Sequence, residues 1–166
     1  MNLGKLKYMS VPPSSPDEKT CTFWIEQASA LLLHSSYSPS KHSLESFFSQ
    51  CLVQREYSGE RKFFIVAIDL NEDLVGFAQL RAFDREADLD FIMVNPSCRQ
   101  QGIARGMLMF ALEVLRNAGV TRILLEVGVK NSPALLLYRQ LGFSHLSFRK
   151  GYYRSGEDAV LMELMI

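Results

Sequence analysis

A single crossover set in an otherwise up-and-down run of strands limits most strongly what this chain can fold into. Ala87–Val94 reads as a strand and is stopped by Asn95-Pro96. From Gly102 to about Ala118 apolar residues recur at helical spacing, and Gly119 stands where helices end. Thr121–Val127 is apolar again over a strand's length. Strand, helix, strand in this order makes the two strands parallel neighbours. Upstream, Lys62–Asp69 and Leu74–Arg81 flank the turn Asn71-Glu-Asp73 and form a hairpin. A meander joined to one crossover predicts a mixed sheet, not a doubly wound parallel one.

The remaining elements follow from the same signals. Leu3–Val11 alternates like a short strand, and the Pro- and Ser-rich stretch 11–16 sets it apart. Ser15-Pro-Asp-Glu18 fits a capping box, followed by Cys21, Trp24, Ile25, Ala28, Leu31 and Leu32 at helical spacing. A second helix is expected near residues 39–53, with Leu44, Phe47, Phe48, Cys51 and Leu52 as its stripe. Ser132–Leu141 reads as a helix with Pro133 at its start and Gly142 past its end, and Ser144–Arg149 and Ala159–Met165 as two closing strands. The expected fold is α/β in the broad sense (α+β): a mixed, mostly antiparallel sheet of about seven strands flanked by about four helices. At 166 residues one domain, 1–166, is the expectation, and a chain of this size buries roughly 70% of its unfolded surface.

Composition removes several classes. Lysine plus arginine and aspartate plus glutamate each number 18, so bulk charge offers nucleic acid no basic face. The longest apolar runs, Phe63–Ile68 and Met107–Leu112, have six residues, well short of the roughly 18 of a membrane span. The first ten residues lack the apolar stretch of a signal peptide. Cys21, Cys51 and Cys98 are odd in number and unpaired by any CxxC, which argues against a disulfide framework or a zinc site. His34, His42 and His145 show no ligand spacing. A reduced, cytoplasmic protein with no metal is expected.

The segment richest in chemistry is Val94-Asn-Pro-Ser-Cys-Arg99-Gln-Gln-Gly102-Ile-Ala104-Arg105-Gly106. A strand ends, the chain turns, and a helix opens on small residues. The N–H groups of such a helix start are unpaired and carry partial positive charge, which suits a phosphate. Gly102 and Ala104 let a pyrophosphate approach the backbone, and Arg99 and Arg105 add charge. The same residues also make an ordinary tight turn. The spacing is not GxGxxG, so a dinucleotide fold is the poorer explanation.

Arg99-x-x-Gly102-x-Ala104 at the end of the fourth strand resembles the acetyl-CoA signature of the GNAT superfamily of N-acetyltransferases, and the order of elements matches that fold. Glu126 through Phe143, with Asn131-x-x-Ala134-x-x-x-Tyr138-x-x-x-Gly142-Phe143, resembles the superfamily's second cofactor and catalytic segment. Arg149-Lys-Gly-Tyr-Tyr153 and Glu157-Asp158-Ala159 are similar to the RimI-type branch, which acetylates the N-terminal alanine of a ribosomal protein. The likeness runs from about Leu74 to the end and is looser over residues 20–69.

The resemblance implies acetyl-CoA as cosubstrate. Its pantetheine arm would pair with the backbone of Ile92, Met93 and Val94, and its pyrophosphate would sit on Gln100, Gln101, Gly102, Ile103, Ala104 and Arg105 beside Arg99. Asn131 would touch the cofactor, or cap the following helix, or both. Glu126 ends an apolar strand and is either an exposed strand-end charge or the base of a cleft; the family match makes it the proton acceptor, a role that partial withdrawal from water favours near neutral pH. Tyr138 stands beside Leu135, Leu136 and Leu137 as a core aromatic would; the family match makes it the proton donor to the leaving thiolate. The reaction implied is direct attack of an amine on the thioester, with a backbone N–H near Val94 stabilising the oxyanion. Cys98 is expected to be an ordinary loop residue, not a nucleophile.

The acceptor implied is a protein N-terminus, of a ribosomal protein in that branch. A small amine, a lysine, or no acceptor at all (an acyl-CoA-binding module) are the alternatives. Three positions depart from the branch pattern: Ala104 where many relatives have glycine, Gly128 where the branch has arginine, and Ser36-Tyr37-Ser38 where it has Pro-Trp-Ser. The last two bear on the acceptor, not on catalysis. Charge is also unevenly placed. Asp69 to Asp90 holds two basic and seven acidic residues, and Phe91 to Arg122 four basic and one acidic. The positive block contains the phosphate turn, and the negative block is expected to supply acids facing a cationic acceptor.

Overall fold

A computed structural model describes residues 6–11, 23, 26–28 and 59–166. Seven strands form one sheet in the order β1-β2-β3-β4-β5-β7-β6. They are β1 (Lys7–Val11), β2 (Glu60–Ile68), β3 (Leu74–Phe83), β4 (Glu86–Val94), β5 (Arg122–Gly128), β6 (Ser144–Arg149) and β7 (Ala159–Met165). Every neighbouring pair is antiparallel except β4 and β5, which the crossover helix α1 (Ile103–Asn117) makes parallel. A second helix, α2 (Ser132–Gln140), joins β5 to β6. The mixed sheet is as expected. Phe23 and residues 26–28 are helical within the first expected helix; the capping box at Ser15, the helix near 39–53 and the Tyr37 loop lie outside the described residues.

Strand alternation sorts the side chains. On one face, Ile65, Ala78, Leu80, Ala87, Leu89, Ile123, Leu125, Val127 and Met162 pack under α1 and α2. Helix α1 meets them with Ile103, Met107, Leu108, Ala111 and Leu115, a stripe at helical spacing. The opposite face has a smaller apolar cluster of Phe64, Val66, Ile68, Leu74, Phe77 and Met93 with Ala28. Beside it the face is ionic. Arg122 reaches Glu86 at 2.8 Å and Glu163 at 2.8 Å, joining β4, β5 and β7. Arg81 forks onto Asp90 through two bonds of 2.6 and 2.5 Å. Three of the seven acids of the block are thus spent inside the fold: Asp90 on Arg81, Glu86 on Arg122, and Asp69 on the backbone N–H groups of Asn71 and Asp73 in the hairpin turn.

The feature that positions the site is the parting of β4 and β5. They pair over four residues only, from Glu86–Arg122 to Leu89–Leu125. At Asp90 β4 carries an extra residue relative to β3, since Gln79 faces Phe91 while Leu80 faces Leu89. A bulge bends its strand and sharpens the twist, and from there β4 stays with β3 and leaves β5 behind.

At the far edge Tyr8 of β1 lies across Gly106 of α1, so close that a Cβ on Gly106 would overlap its phenol ring. Glycine inside a helix costs about 0.8–1 kcal/mol relative to alanine, whereas overpacking costs about 1–3 kcal/mol, so contact with Tyr8 outweighs helix propensity. Gly106→Ala is expected to destabilise the fold in urea titration. In a Tyr8→Ala background the same change is expected to stabilise it by about 1 kcal/mol; destabilisation in both backgrounds would count against this account of Gly106.

Candidate active site

The turn between β4 and α1 is built to expose backbone donors. Asn95 caps a short 3-10 turn, Pro96–Cys98, accepting from the Ser97 N–H at 3.1 Å and its hydroxyl at 2.8 Å. Cys98 is not a loop thiol: it is buried, at 1% exposure, beneath the turn. Gln100 (φ 61°) and Gly102 (φ 77°) both take left-handed backbone, and alternation of this kind turns successive N–H groups toward one side. Gly102 is the N-cap of α1 and offers no side-chain acceptor to the first turn. The N–H groups of Ile103, Ala104 and Arg105 are therefore left for an anion. The Ile103 side chain is buried in the core, so its part in any such site is its N–H. Gln100, Gln101 and Arg105 are exposed at the turn. The Arg99 Nε donates to the Val94 carbonyl at 3.3 Å, so this guanidinium lies back along the end of β4.

Beside this turn lies the parted edge. Ile92, Met93 and Val94 pair with Ala78, Phe77 and Gly76 of β3, and the ladder to β5 has already stopped. Every second residue of such a stretch directs its N–H and C=O into the gap, where an amide-bearing chain can add as a further strand. Gly76 keeps β4 on this path: a Cβ there would meet the Met93 carbonyl oxygen at 2.9 Å.

Two ionisable groups lie on opposite faces of the sheet, Glu126 on β5 and Tyr138 on α2. Glu126 alternates with Leu125 and Val127, which face the helices, and so lies on the other face. It is half-buried, and its Oε1 is 2.9 Å from Nη1 of Arg149 at the end of β6. The same guanidinium lies 5.6 Å from the centre of the Tyr152 ring. Tyr138 belongs to the core under the helices, at 5% exposure, edge-on to Phe143 at 5.7 Å. Both readings of Tyr138 therefore hold at once: the ring is core, while its hydroxyl, with no described hydrogen-bond partner, is not a sealed and unsatisfied buried atom. Burial pushes the phenol above its ordinary value of 10.0, with Tyr153 adding to the effect, so it keeps its proton across the neutral range.

Asn131 caps α2, its Oδ1 accepting from the Ala134 N–H at 3.3 Å, and it stays exposed, three residues past the end of β5. Gly128 has a different setting from any that its neighbours in sequence suggest. A Cβ there would lie 2.6 Å from Oε1 of Glu157, which accepts from the Lys130 N–H at 3.0 Å, and 3.6 Å from the Tyr153 ring. An arginine at 128 would have to displace Glu157. Sequence reasoning assigned no contact to Arg149, Glu157 or Gly76. The alternation that puts Arg149 and Glu126 on one face was readable, but the β6-β7-β5 order that brings them together was not.

Comparison with known proteins agrees with this geometry. Residues 26–143 match the model of the Acetyltransferase (GNAT) family. The chain is 35% identical over 99 residues to the [Ribosomal protein bS18]-alanine N-acetyltransferase of Escherichia coli K12, covering 58% of this chain and 67% of that protein. It is 39% identical over 85 residues to an N-alpha-acetyltransferase of Saccharolobus solfataricus, covering 51% of each. The crystal structure of the Escherichia coli ribosomal-protein-S18-alanine N-acetyltransferase superposes with a TM-score of 0.74 at 25% identity, over 98% of this chain and 94% of that one. The chain belongs to the GNAT family. It is an N-acetyltransferase that uses acetyl-CoA.

The buried phenol gives a pH test. Because the folded-state value lies above the unfolded one, the unfolded chain loses this proton first as pH rises. The neutral phenol's contribution to stability is complete below about pH 10 and is lost as pH climbs beyond it. Denaturant titrations from about pH 9 to 11.5 are expected to show a steeper loss for the wild type than for Tyr138→Phe; parallel slopes would mean the phenol titrates freely in the fold.

Proposed function

We propose that this enzyme acetylates the N-terminal α-amine of a protein, with alanine first and a ribosomal protein as the favoured acceptor, in a ternary complex with acetyl-CoA. The observation that supports the reading is one carboxylate, Glu126, where β5 has parted from β4 and one buried phenol, Tyr138, on the other face of the sheet, together with the likeness to the bS18-alanine enzyme over nearly the whole fold. The pantetheine arm lies along Ile92, Met93 and Val94, the pyrophosphate on the N–H groups of residues 100–105 with Arg99 and Arg105 near, and Asn131 meets the cofactor at the mouth.

Glu126 takes the proton of the attacking amine. The nitrogen forms its bond to the thioester carbonyl carbon, and an N–H at the end of β4 holds the oxyanion. The C–S bond then breaks, and the thiolate takes the Tyr138 proton, which solvent restores. The products are the N-acetyl amine and free CoA. An N-terminal amine, with an ordinary pKa near 7.7–8.0, is roughly a quarter neutral at pH 7.4, against about one part in a thousand for a lysine near 10.4. A single carboxylate therefore suffices for the first. It is also already engaged by Arg149, so an arriving ammonium competes with a guanidinium for it. The reading places the reaction in the cytoplasm, within a single domain.

Thiol release from acetyl-CoA is the measurement. A peptide beginning with alanine is expected to be turned over, and the same peptide blocked at its N-terminus but carrying lysine is not; release with a polyamine alone would sink the reading. Glu126→Gln and Tyr138→Phe are each expected to cut kcat by about 100-fold or more with little change in acetyl-CoA affinity. Wild-type turnover in either variant would remove that residue from its role.

A further inference from the structure

Glu157 is one of several acids with no ion pair among the described residues, and it is the one that lies against Gly128 of β5. Asp90 and Glu86 are matched by arginines, and Glu126 by Arg149. Among the described residues the Glu157 carboxylate has no ion pair and takes a single hydrogen bond, the Lys130 N–H onto Oε1. It is half-buried, and it occupies the volume that the missing side chain of Gly128 leaves free. Its setting is therefore a half-desolvated charge with one oxygen anchored to the backbone and spare acceptor capacity, against the Tyr153 ring.

Its position relative to the base is fixed by the strands. Gly128 and Glu126 are two residues apart on β5 and share one face, about 6.6 Å along the strand. Ala159 faces Gly128 across the β5–β7 ladder, and Arg149 faces Ala159 across the next, so all of these lie on the face opposite the helices. An extended peptide advances about 3.3–3.6 Å per residue. A chain whose first nitrogen is at Glu126 therefore brings its second or third residue over Glu157.

We propose that Glu157 is a specificity-determining residue that selects acceptors with a second positive charge close to the reacting amine: N-termini with lysine or arginine at the second or third position. The inference rests on the N-terminal reading above for the acceptor's direction along β5. The chemistry it names is a dication, one charge at Glu126 and one at Glu157. A half-desolvated, tethered carboxylate binds such a charge more effectively than a mobile surface one, because the geometry is already held.

The test is binding in the presence of CoA, followed by isothermal titration calorimetry. Peptides start with alanine and carry lysine, norleucine or glutamate at the second or third position; a short diamine and the matching monoamine form a separate arm. The lysyl peptide is expected to bind about fivefold more tightly than the norleucyl one at low salt, and the glutamyl one most weakly. Glu157→Gln retains an oxygen for the Lys130 N–H, and it is expected to bring lysyl and norleucyl affinities level while keeping the wild-type melting temperature. Equal binding of the two peptides by the wild type overturns the proposal, as does a preference that survives Glu157→Gln intact, or no binding of any dication. Should the diamine bind in a Glu157-dependent way while no peptide is bound or acetylated, the cation site stands and the N-terminal reading falls. Should peptides be acetylated without regard to charge, the N-terminal reading stands and this one falls.

Discussion

The separation of β4 from β5 after four paired residues is the constraint on which the rest of the molecule depends. Two parallel strands left to themselves would continue pairing, and an open pair of backbone edges is costly unless water or a ligand meets it. The closed end is held by Leu89 and Leu125 in the core and by Arg122, which ties Glu86 to Glu163 across three strands. Exposed ion pairs of this kind add little stability, so Arg122 matters more as a clasp that sets register. The extra residue at Asp90 then turns β4 away, and the fork of Arg81 onto Asp90 holds the bulge in place. Closed end, bulge and open end are consecutive on one strand, which puts the opening beside the N-terminus of α1.

The same economy appears in how side chain and backbone divide their work around the opening. Ile103 buries its side chain beneath α1 while its N–H faces the turn, and Met93 does the same with its side chain in the opposite cluster. Two backbone positions beside the opening are thus anchored by packing before anything binds. Tyr138 inverts the arrangement: its ring is core, and in the proposed mechanism the group with chemistry is the hydroxyl at its tip. Preorganisation of this kind removes reorganisation from the reaction step.

Local pattern made the elements legible, and long-range neighbours decided what it left open. β6 and β7 lie at the residues expected, and α1 and α2 differ from expectation by no more than one residue at either end, because Gly119, Pro133 and Gly142 mark those limits in sequence. The glutamate and tyrosine were singled out by spacing and resemblance. What neither could reveal was partnership. Arg149 is 23 residues from Glu126 and Glu157 is 29 from Gly128, and each pair meets only because β7 runs between β5 and β6. Cys98 looked like a loop residue because the turn that buries it is irregular and shows no periodicity.

Charge gave the sharpest contrast between count and arrangement. The chain is formally neutral, and its acids concentrate before the phosphate turn, which invites the idea that those acids serve a ligand. In the fold three of the seven serve the fold: arginines from β3 and β5 answer Asp90 and Glu86, and the hairpin backbone answers Asp69. A carboxylate matched by a guanidinium in this way has little field left for a third party, since the pair's potential falls off as a dipole's and is screened within about 8–10 Å in salt. One acid that has no ion pair among the described residues is Glu157, far from the acidic block in sequence, placed over Gly128 by the loop between β6 and β7. Counting charges along the chain locates where acids are plentiful. A ligand responds to those that the fold has left unmatched, and at Glu157 that is decided by a glycine.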